Sequence, residues 1–218
     1  MIKMKILHTI YAAIMMVAIT SCDEHREFPD TAMKTCDILC TDGKVVRYEE
    51  MESQGKKPIA VVFHINQNSE TQGTGYAVYL WDIEPEAYSD SIGVKQNTSA
   101  SITAYDGNSN TYAMYSSGVS PAATAVFDMW QYGQSAYIPS IAEIRLLYSA
   151  KEAVNEYIKK CGGDVIPNEP NECWYWTSTE VKDMESAKAW LFSLASGALQ
   201  ETPKEQLHKV RPIITLYN

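Results

Sequence analysis

The chain has 218 residues, 45% hydrophobic and 21% charged, an ordinary globular balance with room for one sizeable domain or two small ones. Its formal net charge is −9, with no run of Lys or Arg, which argues against nucleic acid as a partner. Fourteen Tyr and five Trp stand against four Phe, an aromatic set suited to half-buried positions with one polar end in water.

At the N-terminus, Lys3 and Lys5 precede an apolar run from Ile6 to Ile19, followed by Thr20-Ser21-Cys22. A charged start, a short apolar stretch and small residues before a cleavage point define a secretory signal over 1–21, too short for an ordinary membrane-spanning helix. Cys22 after the small pair resembles a bacterial lipobox, and the resemblance implies cleavage before Cys22 and its acylation, hence a membrane partner through lipid. The mature charge is then near −11, two lysines fewer. Asp23-Glu24-His25-Arg26-Glu27 resembles the surface-export signal of Bacteroides-type lipoproteins, which implies the outer face of the outer membrane; periplasm-facing anchoring is the alternative. Residues 22–34 read as an acidic tether, and 35–218 as the domain.

Four cysteines remain, Cys36, Cys40, Cys161 and Cys173, and an even number in an exported chain suggests disulfides. The turn-rich loop between Cys161 and Cys173 could bring those two together, and they form the candidate bridge. Cys36 and Cys40 on one strand would sit about 13 Å apart, too far to join without a bend at Asp37. The spacings of the four cysteines, with no helpful His, argue against zinc.

In chain order, Asp37 to Cys40 and Lys44 to Tyr48 read as strands about an Asp42-Gly43 turn, a hairpin signal. Glu49 to Lys57 reads as a polar loop. Pro58 to Ile65 is the strongest strand, its continuous apolar run implying burial on both faces. Asn66 to Gly75 is a turn and Tyr76 to Trp81 the next strand. Glu84 to Ala104 reads as a long polar connection and Tyr105 to Thr111 as a turn cluster. Ser120-Pro121 opens a helix ending at Gly133. Ser140 and Glu143 form a capping-box pattern ahead of Ile141, Ile144 and Leu147 at helical spacing. Ser149 and Glu152 repeat that pattern, a place for a kink before the helix continues to Lys160. Short strands follow at Trp174 to Thr179, Ala187 to Leu194, Ala198 to Gln200 and His208 to Leu216. Mixed strands around two main helices, with long loops, indicate an α+β fold.

The ordered set Pro139-Ser140-Ile-Ala-Glu143-Ile144, Tyr175-Trp176-Thr177-Ser178-Thr179-Glu180, Ala189-Trp190, Gly197, Lys209 and Val210-Arg211-Pro212-Ile213 resembles the DUF1566 family of exported bacterial proteins. Asp37 to Gly43, Pro58 to Phe63 and Asn110-Thr111 extend the resemblance over roughly 36–216. It implies a C-type lectin-like fold, similar also to the formylglycine-generating enzyme core, and for some members adhesion to glycans or matrix. The motif residues Ser140, Glu143, Trp176, Ser178, Thr179, Trp190, Gly197 and Arg211 read as structural, with Arg211 expected to pair with an acid such as Glu143.

Sugar sites stack an aromatic face and add polar groups or Ca²⁺. Trp130, Tyr132, Trp174 and Tyr175 are the aromatic candidates. Glu169-Pro170-Asn171 matches the tripeptide with which calcium-dependent lectins hold Ca²⁺ and sugar hydroxyls, but the downstream Asn-Asp pair is missing, so Ca²⁺ is the sole ion suggested and no cofactor is expected. No Ser-His-Asp order, phosphate loop or carboxylate pair stands out. The expected function is a lipid-anchored surface binding protein for glycans or extracellular matrix, without catalysis; the alternative is a structural or accessory component of a surface or fimbrial assembly. The sequence leaves oligomeric state open. The long loops around 84–110 and 162–173 are the expected places for function.

Overall fold

The structure is a computed structural model and describes residues 32–66, 73–129 and 136–217; the signal segment, Cys22, most of the tether, and Trp130 and Tyr132 lie outside the described residues. Residues Met33–Asn218 form one compact unit.

The fold is α+β, with two five-stranded sheets. The first has the order β10-β4-β3-β1-β2, built from β1 (Ile38–Cys40), β2 (Val45–Val46), β3 (Pro58–Ile65), β4 (Gly75–Tyr79) and β10 (Ile213–Leu216), all pairs antiparallel. The apolar run Ile59 to Phe63 is buried as expected. One face presents Ile38, Cys40, Val61, Phe63, Tyr76 and Val78 to the helix α4 (Ile141–Lys160), whose stripe Ile144, Leu147, Val154 and Ile158 completes the main core. The other face carries Leu39, Ala60, Val62, Ala77, Tyr79, Ile214 and Leu216. This is the period of two along a strand, with both faces apolar.

The second sheet has the order β5-β9-β6-β7-β8, from β5 (Ile83–Ala87), β6 (Trp174–Glu180), β7 (Lys188–Ser193), β8 (Leu199–Pro203) and β9 (Leu207–Val210). Its pairs are antiparallel except β6 with β9. Helices α2 (Gly107–Ser116) and α3 (Pro121–Asp128) supply Met114, Ala122, Ala123 and Val126 to a core around Trp176, Tyr88, Ile138 and Leu191.

Several segments depart from the sequence reading. The expected polar loop after Tyr48 contains the helix α1 (Tyr48–Ser53). The expected connection 84–104 opens with β5, and the turn cluster at 105–111 opens α2. The single expected strand His208 to Leu216 is two strands in different sheets. Pro212, which has no N–H to give a ladder, sits at the break. Helix α4 runs unbroken through Ser149, whose hydroxyl donates back to the Arg145 carbonyl (3.0 Å) instead of capping a new start. Its beginning is as expected, a capping box in which Glu143 N–H donates to Ser140 Oγ and Ser140 N–H to Glu143 Oε2.

Candidate functional site

Buried charge organises the surface around the loop 161–173. Arg211 is fully buried at the end of β9. Its Nε donates to Asp82 Oδ1 (2.5 Å), and its two terminal nitrogens donate to the carbonyls of Tyr79 (3.2 Å), Leu80 (3.3 Å) and Asp164 (2.8 Å). The expected pairing of Arg211 with Glu143 is therefore wrong. Asp82 follows β4 and meets the guanidinium where the chain passes from one sheet to the other, while Glu143 serves the helix start. Asp82 Oδ2 also accepts from Lys209 Nζ (3.3 Å) and the Tyr175 hydroxyl (3.2 Å). Tyr175 is fully buried, and burial holds its hydroxyl far above the usual tyrosine range. Its ring belongs to the core and is not offered to a ligand.

Above this pair opens a cleft of about 350 Å³, lined by Asp82, Ile83, Glu84, Asp164, Pro167, Glu172 and Lys209, among others. Its outer wall is the loop, and helix α4 holds that loop in shape. Asn155 exchanges two hydrogen bonds with the backbone of Ile166, each 2.9 Å. Buried Lys151 reaches the Asn168 side chain and the Leu194 carbonyl (2.8 Å). Glu169 and Asn171 of the lectin-like tripeptide are exposed at the loop tip, with Glu169 Oε2 accepting from the Asn168 N–H (3.2 Å). Among the described residues no group of three or more His, Cys, Asp or Glu side chains is placed to hold a metal ion. Trp174 is half-buried at the start of β6.

The structure does not join the expected pair: Cys161 and Cys173 are not bonded to each other. Cys173 is buried at the foot of β6 with its sulfur against the Pro170 carbonyl (3.3 Å) and the Ser193 hydroxyl (3.1 Å), whereas Cys161 caps α4 beside the main core. The turn-rich sequence between them folds as a clamped wall rather than a tight return.

The remaining motif residues form the joint between β6 and α4. The ladder of β6 with β7 shifts between Trp176 and Glu180, which frees Thr177, Ser178 and Thr179 for other partners. Ser178 N–H donates to the Pro139 carbonyl (2.8 Å), Thr179 Oγ1 accepts from Ile141 N–H (3.3 Å), and Thr177 Oγ1 donates to the Trp190 carbonyl (2.8 Å). Trp176 is buried, with Nε1 donating to the Glu86 carbonyl (2.9 Å). Trp190 is half-buried, and Gly197 turns at φ 74° between β7 and β8.

Sequence reasoning missed the ion pair of Glu180 and Lys204, 1% and 3% exposed at the side chain. Glu180 also accepts from the N–H groups of Gln96 (2.9 Å) and Thr98 (3.1 Å) and from the Thr98 hydroxyl (2.8 Å). Lys204 donates to the Val94 carbonyl (3.2 Å) and lies 5.2 Å from the Tyr88 ring centre. These contacts tie down the connection after β5. A carboxylate closing a run of strand residues was the available signal, since an acid at a buried strand position needs partners.

The fold and site define an α+β domain whose buried charges cross-tie long loops around an acidic cleft. A crystal structure of a fimbrial protein from Bacteroides ovatus ATCC 8483 is similar in fold, with a TM-score of 0.64 at 15% identity, covering 84% of this chain and 49% of that chain. The chain thus spans about half the length of that protein. No protein-family model matches the chain, and no curated protein matches it. Among the described residues no helix is long and apolar enough to cross a membrane.

Proposed function

We propose that the chain is a non-catalytic structural or accessory component of a surface or fimbrial assembly, held to the outer membrane by lipid on Cys22. The observation that carries this reading is the shared fold with a fimbrial protein over 84% of the chain. The buried charges support it: Asp82, Arg211, Glu180 and Lys204 all have partners within the fold, which suits a part that must stay rigid. The DUF1566 resemblance and a C-type lectin-like class belong to this proposal. The test is fractionation. Shearing appendages from the parent cell should bring this chain down with them, and deleting it should change their number or length. A chain that stays in the envelope without a stable partner, with appendages unaltered, sinks the assembly role.

The cleft beside the exposed Glu169-Pro170-Asn171 loop and half-buried Trp174 favours a second reading, a surface module that adheres to glycans or matrix. The purified protein on a glycan array, with and without Ca²⁺, separates the two. Binding lost in EDTA supports a Ca²⁺-assisted sugar site, and binding to no glycan leaves assembly as the role.

A further inference from the structure

We propose that Cys40 and Cys161 form an intramolecular disulfide that fastens the first strand to the C-terminus of the long helix. The geometry starts from strand alternation. Ile38 and Cys40 of β1 point to the same face, the one covered by α4, while Leu39 points to the other. On the helix, Tyr157 and Cys161 are four residues apart and share one side. Tyr157 meets Tyr48 of α1 edge-on, with ring centres 6.1 Å apart, and Lys160 lies over both rings. Just past α4 the chain is pinned to the end of the sheet that carries Cys40: Asp164 N–H donates to the Leu80 carbonyl (2.8 Å), Leu80 N–H to the Ile59 carbonyl (3.0 Å), and Cys40 lies opposite Pro58 in the β1–β3 register. Cys161 packs against the same apolar cluster that contains Cys40. The electrostatic neighbourhood agrees: burial, and next the Cys40 sulfur, push the Cys161 thiol up to about 11.

The other two cysteines are held at other levels of the fold. Cys36 takes up a left-handed conformation (φ 72°) before β1 and donates its N–H to the Val62 carbonyl (2.7 Å), four residues along β3 from Pro58, which Cys40 faces. Cys173 is enclosed by Pro170 and Ser193.

The chemistry needs a disulfide oxidant, either a protein dithiol oxidase in its disulfide form or oxidised glutathione. The half-buried Cys161, as thiolate, attacks one oxidant sulfur and breaks the oxidant's S–S bond, giving a mixed disulfide. Cys40 thiolate then attacks the Cys161 sulfur and releases the second oxidant thiolate. Two electrons and the two thiol protons end on the oxidant, and one S–S bond joins Cys40 to Cys161. Burial disfavours both thiolates, which makes closure slow without a catalyst and the buried bond slow to reopen.

The proposal leans on export only for where oxidation occurs in the cell, so its test is made in solution. The full chain carrying Cys22→Ser, reduced and purified in detergent, is equilibrated in glutathione redox buffers, alkylated under denaturing conditions and digested without reductant. The expected result is loss of two alkylatable thiols and one linked pair of peptides containing Cys40 and Cys161. The loop closed is long, so the oxidised form should melt about 10 °C above the reduced form. Cys161→Ser should abolish that rise, and Cys36→Ser and Cys173→Ser should keep it. Four alkylatable thiols at every glutathione ratio, or a link through Cys36 or Cys173, overturns the proposal. Either failure leaves the surface-assembly role standing, because that rests on fractionation.

Discussion

Glu143 is a carboxyl group placed where a helix start wants negative charge and a core does not. It accepts from the Ser140 N–H (2.7 Å) and the Tyr137 hydroxyl (3.3 Å), yet it is 2% exposed, and burial pushes its pKa up from the ordinary 4.5 to about 7, aided by Asp106 nearby. A raised folded-state value means the native protein holds the proton more tightly than the unfolded chain. The contribution is complete below pH 4.5 and is lost as pH rises through about 7. From this group alone, stability should fall by about 3 kcal/mol across that window. Glu143→Gln keeps an acceptor for Ser140 and cannot ionise. It should flatten the profile and be the more stable form at pH 8, as read from urea midpoints at several pH values. A variant that tracks the parent at every pH would show that Glu143 is already ionised in the native state.

Helix α2 shows what an element can hide from sequence reading. Gly107-Asn-Ser-Asn-Thr111 has the composition of a turn, and its residues are poor helix formers. Yet Gly107, Asn110, Thr111 and Met114 are buried at helical spacing. The period is present, but mostly in polar residues that satisfy neighbours: Thr111 donates to the Gly107 carbonyl (2.8 Å), and Asn110 binds Asp106 Oδ1 (2.8 Å). Gly107 is needed for close approach. A Cβ there would lie 2.8 Å from both the Ile138 carbonyl oxygen and the Ser140 nitrogen and would run into Glu143 Oε2. Gly107→Ala should therefore lower stability by about 2 kcal/mol, against the gain of up to about 1 kcal/mol that Ala brings to an exposed helix. A higher melting temperature would show that α2 can shift away from the start of α4. By contrast, β3 and α4 were legible because apolar residues carried their periods and Ser140-x-x-Glu143 marked a helix start. β5, with Pro85 between Glu84 and Glu86, looks like no interior strand and is an edge strand beside β9. In the cleft, the loop 162–173 could be picked out from its turn residues. Asp82 and Lys209 could not be joined to it, because their meeting depends on where the two sheets touch.

That meeting is the feature on which the whole molecule turns. The chain passes between the sheets after β4 and again between β9 and β10, and Asp82 lies in the first passage while Arg211 lies in the second. The ion pair thus closes both crossings at once, and the remaining guanidinium hydrogen bonds draw in Tyr79, Leu80 and the loop at Asp164. Arg211→Met fills similar volume but leaves Asp82, 10% exposed at the side chain, without its buried cation. The expected loss is about 3–5 kcal/mol, the usual result of breaking one side of a buried pair. Adding Asp82→Asn should restore part of it, since the buried charge left with only the more exposed Lys209 as its cation is then gone. The mode of unfolding should change as well. Three of the five tryptophans, Trp174, Trp176 and Trp190, lie in the second sheet and weight the fluorescence toward it, whereas far-ultraviolet circular dichroism reports on both sheets and the helices. In the parent protein the two signals should follow one urea transition. In Arg211→Met, tryptophan fluorescence should separate from the dichroism, because the second sheet has lost its main charged tie to the first. Coincident transitions in the variant would mean that apolar packing alone couples the sheets.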